Sequence, residues 1–257
     1  MDERGRPRGG RYVEWAPPLA LQSVVACTWA ARFGDDGQPH VERVLPDGCI
    51  DVLWMDGRLV VAGPDTRAMP LARRPAALFV GIRLRPGVAP SLLGAPASAL
   101  LDARIDASDV LGDRAKALSD GLAGAPSARE AAGHLTVHVA KWLRWSHSPD
   151  EVVQGAIATL RRTGPPKTIA GVAADLGVSE RQLHRRFVVA VGYGPKLLAR
   201  ILRLQRFVTH ASRPDAPPLA QLAWAAGYAD QPHLSRECQD LAGVSPATLV
   251  GYPSLST

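Results

Sequence analysis

Hydrophobic and polar residues alternate through the first part of the chain with the period of a strand, and recur through the rest with the period of a helix. Residues 49–55, CIDVLWM, place Ile50, Val52 and Trp54 on one face, with Asp51 on the other. Asp56-Gly57 is a two-residue hairpin signal, and residues 58–62 return before Gly63-Pro64 stops them. Residues 77–85, ALFVGIRLR, alternate again, setting Leu78, Val80, Ile82 and Leu84 against Arg83 and Arg85. Residues 23–33 are apolar and β-compatible, and residues 43–45 lead into a Pro46-Asp47-Gly48 turn. Short strands punctuated this way predict a small antiparallel barrel or sandwich.

From about Ala97 the pattern turns helical. Residues 127–145 carry Ala131, Leu135, Val139, Trp142 and Leu143 at three- and four-residue steps, an amphipathic helix. Its stripe either docks on the β-domain of its own chain or forms a dimer seam, and a homodimer is the expectation. Ser146-His147-Ser148-Pro149 reads as a boundary. The chain is thus expected to be α+β with two domains: residues 1–115 β-rich, residues 116–148 a helical dimerisation or linker segment, and residues 149–257 all-α.

The all-α part repeats itself. Residues 169–178 align with residues 219–228 at an offset of fifty, and after one extra turn residue the offset becomes fifty-one. It then pairs Ser179 with Asp230, Leu183 with Leu234, Arg185 with Arg236, Phe187 with Cys238 and Pro195 with Pro246. Each copy has a small residue for a close helix crossing (Ala173, Ala223) and a glycine suited to positive φ four residues later (Gly177, Gly227). Each then opens its next helix on a capping residue, Ser179 with Gln182 completing a capping box, or Asp230 with Pro232 in the first turn. Two helices joined by so short a turn form the helix-turn-helix that puts its second helix into the major groove of DNA. The units span about residues 168–190 and 218–242, with a rigid helix over residues 195–211 between them.

Helical wheels name the reading residues. With Leu183 and Phe187 inward, Arg181, His184 and Arg185 point outward. With Leu234 and Cys238 inward, Pro232, Ser235, Arg236 and Gln239 do so, and Gln231 lies in the first turn. Arginine makes bidentate bonds to guanine, so Arg185 and Arg236 lead the expected base contacts, with Arg181, His184, Gln231, Pro232 and Ser235 beside them. Ser179, Arg200, Arg203 and Arg206 are the expected phosphate contacts. The competing reading of each arginine is a surface ion pair.

These motifs closely resemble the DNA-binding domain of the AraC/XylS family of bacterial transcriptional regulators. The matching residues include Leu176-Gly177-Val178-Ser179, Arg181, Leu183, Arg185, Phe187 and Gly192. They continue through Ala226-Gly227-Tyr228, Asp230-Gln231, His233-Leu234-Ser235-Arg236 and Gly243-Val244-Ser245-Pro246. The resemblance implies two three-helix subdomains on a shared long helix, each reading one major-groove segment of a promoter. The chain departs from the pattern at Cys238 and Gln239, where Phe and a basic residue are usual, and at Gly194, where Ser is usual. In the first half, residues 45–54, 62–66 and 81–87 look like the cupin-like sensor half of such regulators. That implies a β-barrel for effector binding or dimerisation, and RNA polymerase as a further partner if the protein activates. An effector pocket would be lined by Trp29, Asp47, Cys49, Asp51, Trp54 and Arg83, unless the tryptophans are simply core.

Charge agrees with a polyanion partner. The net charge is +6, and residues 161–206 hold ten Lys and Arg against two acids, so the excess sits in the helical half. No apolar run approaches the roughly 20 residues of a membrane span, and no secretory signal is evident at the start. Three scattered cysteines with no CxxC pair predict reduced thiols in a cytoplasm. Two other readings compete with this one. A cupin-like enzyme would need a metal site, and His40 with Glu42 is the only close His/Glu pair among the strands; a Cys49 nucleophile beside Asp47 and Asp51 is the other chemistry available. An architectural DNA-binding protein would have no effector. The expectation is a regulator with no catalytic residue, metal or cofactor.

Overall fold

The computed structural model describes residues 11–33, 40–73, 77–162 and 167–250. The N-terminal half is built on a six-stranded antiparallel sheet in the order β1-β2-β7-β4-β5-β8. Its strands are β1 (Arg11–Trp15), β2 (Val25–Arg32), β4 (Ile50–Met55), β5 (Arg58–Ala62), β7 (Leu78–Leu84) and β8 (Arg104–Asp106). A second sheet pairs β3 (His40–Val44) with β6 (Met69–Arg73), placing Arg43 opposite Pro70 and Val44 opposite Met69. The first sheet does not close on itself, so the expected barrel is an open sheet with a two-stranded companion.

Both faces of the large sheet are covered. On one, Val52, Val61, Val80, Ile82 and Leu84 join the buried stripe of α1 (Ala89–Leu93), α2 (Ala107–Leu111), α3 (Asp113–Ala123) and α4 (Ala128–Leu143). On the other, Cys27, Trp29, Ala31, Leu53, Ala62 and Phe79 form a smaller core against which Leu71 of β6 packs. Strand parity therefore divides the residues expected to line one pocket. Trp54 belongs with the helix-covered face, while Trp29 and Asp51 lie on the opposite one.

The stripe on α4 is also accounted for. Leu135 and Val139 are fully buried and Trp142 nearly so, against β2 and β7 of the same chain, with the Arg114 guanidinium 5.4 Å from the Trp142 ring. The dimer expectation rested on that stripe, and its own sheet already covers it. Trp145, just past the helix, is exposed.

The C-terminal half is helical: α5 (Glu151–Arg161), α6 (Ile169–Asp175), α7 (Glu180–Val191), α8 (Pro195–Ala211), α9 (Leu219–Ala226), α10 (Gln231–Ala242) and α11 (Pro246–Leu249). Its core runs from Val153 and Ala156 of α5 through Phe187, Leu198, Ile201 and Phe207 to Leu222, Leu234 and Leu249. Cys238 fills the place of the usual aromatic with no exposed surface, so the second unit packs closed around the smaller side chain. Among the described residues, no helix is long and apolar enough to cross a membrane.

Candidate nucleic-acid interface

The two helix-turn-helix units close their turns with the same backbone bond. Val178 N–H donates to Ala173 O at 3.1 Å, and Tyr228 N–H donates to Ala223 O at 2.9 Å, so each chain folds back over the end of its first helix in the same way. Gly177 and Gly227 take φ of +66° and +91°, a conformation that a side chain would strain. The second helices start on side-chain caps. Ser179 Oγ accepts from Gln182 N–H and Gln182 Oε1 accepts from Ser179 N–H at 2.9 Å, closing the capping box. Asp230 Oδ1 accepts from His233 N–H at 2.6 Å.

These caps fix the outward faces. On α7, Arg181, His184 and Arg185 are exposed and, with Ser179 and Gln182, line an open groove of about 600 Å³. On α10, Gln231, Pro232 and Arg236 are exposed and Ser235 is half-buried. The His184 ring lies against the turn into α8, where a Cβ on Gly194 would stand 2.6 Å from its Nδ1. Glycine where Ser is usual thus makes room for this histidine.

The arginines of α8 divide by partner. Arg200 Nε donates to Glu237 Oε1 at 2.8 Å and its Nη2 donates to Asp240 Oδ2 at 3.0 Å, tying α8 to the middle of α10. Glu237 is buried, so Arg200 supplies its counter-charge and is less available for phosphate than the sequence suggested. Arg203 stacks 5.3 Å over the Tyr228 ring and approaches His233, at the turn that opens α10. Among the described residues Arg206 has no carboxylate partner, and its titratable neighbours are Arg203 and Tyr228. Sequence alone could not separate these roles, because each partner lies more than twenty residues away.

In the N-terminal half, four of the six expected pocket residues meet at Arg83. Arg83 is 4% exposed, with Nε 3.3 Å from Asp47 Oδ2, Nη2 3.3 Å from Asp51 Oδ2 and Nη1 3.8 Å from Glu14 Oε1. The Trp29 indole N–H donates to Asp51 Oδ1 at 3.3 Å. Glu14 is the member that sequence reading missed. Burial raises the Asp51 carboxyl above the usual carboxylate range, although the Arg83 guanidinium pulls it down. Cys49 sits one turn away, its N–H donating to Asp47 Oδ1 at 2.8 Å. Among the described residues no group of three His, Cys, Asp or Glu could hold a metal ion. The side chains of His40 and Glu42 lie outside the described residues.

All three thiols are buried, and burial pushes Cys49 well up and Cys27 and Cys238 up to about 12. A raised thiol pKa keeps the protonated, unreactive form at neutral pH. Ellman's reagent should therefore find no fast thiol in the native protein and all three after denaturation. A rapidly titrating Cys49 in the folded protein would overturn the structural reading and revive the nucleophile.

Comparison with known proteins adds two matches to family models. Residues 172–251 match a helix-turn-helix domain, and residues 13–106 match a domain of unknown function, DUF6597. Among solved structures the chain is similar to ToxT from Vibrio cholerae O395, at 11% identity and a TM-score of 0.43, covering 88% of this chain and 98% of that one. It is also similar to unsaturated fatty acid bound wild-type ToxT from Vibrio cholerae strain SCE256, at 9% identity and a TM-score of 0.41, covering 96% of each chain. No curated protein matches the chain in sequence.

Proposed function

With residues 172–251 forming an AraC-type helix-turn-helix domain, we propose that the protein is a sequence-specific, DNA-binding transcription regulator that reads two successive major-groove segments with α7 and α10. The observation that carries this reading is the exposure of Arg185 and Arg236 at equivalent positions on the two capped second helices of a duplicated unit. Arg181, His184, Gln231, Pro232 and Ser235 flank them. Ser179 at the start of α7, with Arg203 and Arg206 beside the start of α10, contacts phosphate. Arg200 serves the fold. A 17-residue α8 is roughly 25 Å long, which suits two helices entering one face of DNA about one turn apart.

In the same reading the N-terminal domain senses a small-molecule effector. What supports this is the buried ionic group around Arg83, which shares Asp47 with the turn facing α8. The test is selection of bound duplexes from a random double-stranded library by the full-length protein. Two enriched segments about 10 base pairs apart are expected, with affinity falling steeply as salt rises. Recovery of no enriched sequence would overturn the reading.

A further inference from the structure

The N-terminal domain touches the DNA-binding half at the far ends of both recognition helices. At α10, Ala68 N–H donates to Leu241 O at 2.7 Å and Arg43 Nη1 donates to Ala242 O at 2.9 Å. These are two of the carbonyls that a helix leaves without partners at its C-terminus. They carry the negative end of the helix dipole, which a guanidinium satisfies in both charge and hydrogen bonding. The contact is close, since a Cβ on the capping Gly243, which has φ of +66°, would stand 3.1 Å from Arg43 Nη1. At α7, the capping Gly192 leaves no space for a Cβ, which would stand 2.8 Å from Pro64 Cγ and 3.2 Å from Ala97 O.

Between these two holds, the turn after β3 grips α8. The buried Gln205 amide donates to Pro46 O at 2.6 Å. Gly48, at φ of +82°, lies so near α8 that a Cβ would meet Leu198 Cδ1 at 2.8 Å. Leu45 belongs to the C-terminal core itself. Recognition helices present their N-terminal residues to the groove. The N-terminal domain therefore packs against the C-terminal ends of both helices and against the rod that joins them.

We infer that Arg43 is a positioning residue for DNA recognition: through the end of α10 it sets the angle of the second recognition helix relative to the first. The inference rests on the DNA-reading function proposed above. A base contact depends on side chains being held within about 0.5 Å of their working geometry, and a helix gripped at one end transmits a tilt to the other. Arg43 lies in a domain that the sequence assigns to sensing, and it is nearly two hundred residues from α10.

The test uses the full-length protein and the random duplex library. Arg43→Ala and Arg43→Met, the second keeping the side-chain stem, should still select the segment read by α7. Discrimination against single-base changes in the segment read by α10 should fall about tenfold, within the range worth one bidentate base contact. Arg43→Lys keeps a charge and a donor at the helix end and should restore it. A well-folded Arg43→Met with both segments selected at wild-type strength and spacing would overturn the inference. So would equal weakening of both segments, which marks a general loss of stability. If the wild-type protein selects no sequence, the functional reading fails first and this one with it, a different result from selection that survives the variant.

Discussion

Replacing Arg83 with Met is expected to destabilise the protein by about 3–5 kcal/mol, the range for removing one partner from a buried ion pair. Methionine follows the arginine stem, so little of the loss is a cavity. What remains is three carboxylates, Asp47, Asp51 and Glu14, converging on a site from which their cation has gone. With Arg83 present, burial already raises Asp51. Without it, burial and the neighbouring carboxylates raise Asp51 further in the folded state, while its unfolded value stays near 4. A folded-state pKa above the unfolded one means that the folded protein binds more protons, so the deficit is full at neutral pH and shrinks as pH falls through the raised value. Denaturant midpoints at neutral pH and about pH 5 should show it, with the variant's deficit smaller at the lower pH. A loss under about 1 kcal/mol, unchanged by acid, would mean that the carboxylates find other partners or water. Because Asp47 also accepts from Cys49 N–H in the turn that faces α8, the same variant should bind DNA more weakly.

What sequence could and could not reveal follows from the range of each interaction. The helix-turn-helix units were legible because their determinants are local. Capping residues, a glycine at the turn and an inward stripe all lie within one unit, and the duplication shows them twice. The outward faces of α7 and α10 followed from the same periodicity. The α8 arginines were not sortable, since Glu237, Asp240, Tyr228 and His233 choose among them across the fold. In the sheet, alternation separated Arg83 from Ile82 without showing what covers its side. The face bearing Arg83 is buried too, beneath Leu71 and the β3–β6 pair, and the pairing of two strands so far apart in sequence leaves no local mark. Parity alone separates Trp54 from Asp51, although both were expected to line one pocket. The grip of Arg43 on Ala242 was invisible because an arginine in a strand pattern shows nothing of the helix end it meets.

The pair Arg185→Ala and Arg236→Ala gives the largest expected effect on DNA binding. Each single change should weaken binding to a selected duplex by about 1–3 kcal/mol and relax preference at one base pair. The two residues sit on different helices, and among the described residues no hydrogen bond or ion pair links them to a shared partner, so their effects should add and the double variant should lose about 2–6 kcal/mol. Binding to random duplex should change much less, because non-specific affinity comes from phosphate contacts, and the salt slope should hold for the same reason. Arg206→Ala provides the contrast: as a phosphate contact it should weaken both duplexes alike and lower the slope by about one. Titrations of each variant against selected and random duplex, across a salt series, separate the two classes. If the double variant lost no more than either single, the two helices would not engage DNA together, and one unit would serve another purpose. If selected and random duplex weakened equally, Arg185 and Arg236 would be phosphate contacts, and the outward faces of α7 and α10 would read sequence through other side chains. Additive loss confined to the selected duplex is what two independent readers on one rigid frame require, and the frame is the part that Arg43, Gln205 and Gly48 hold in place.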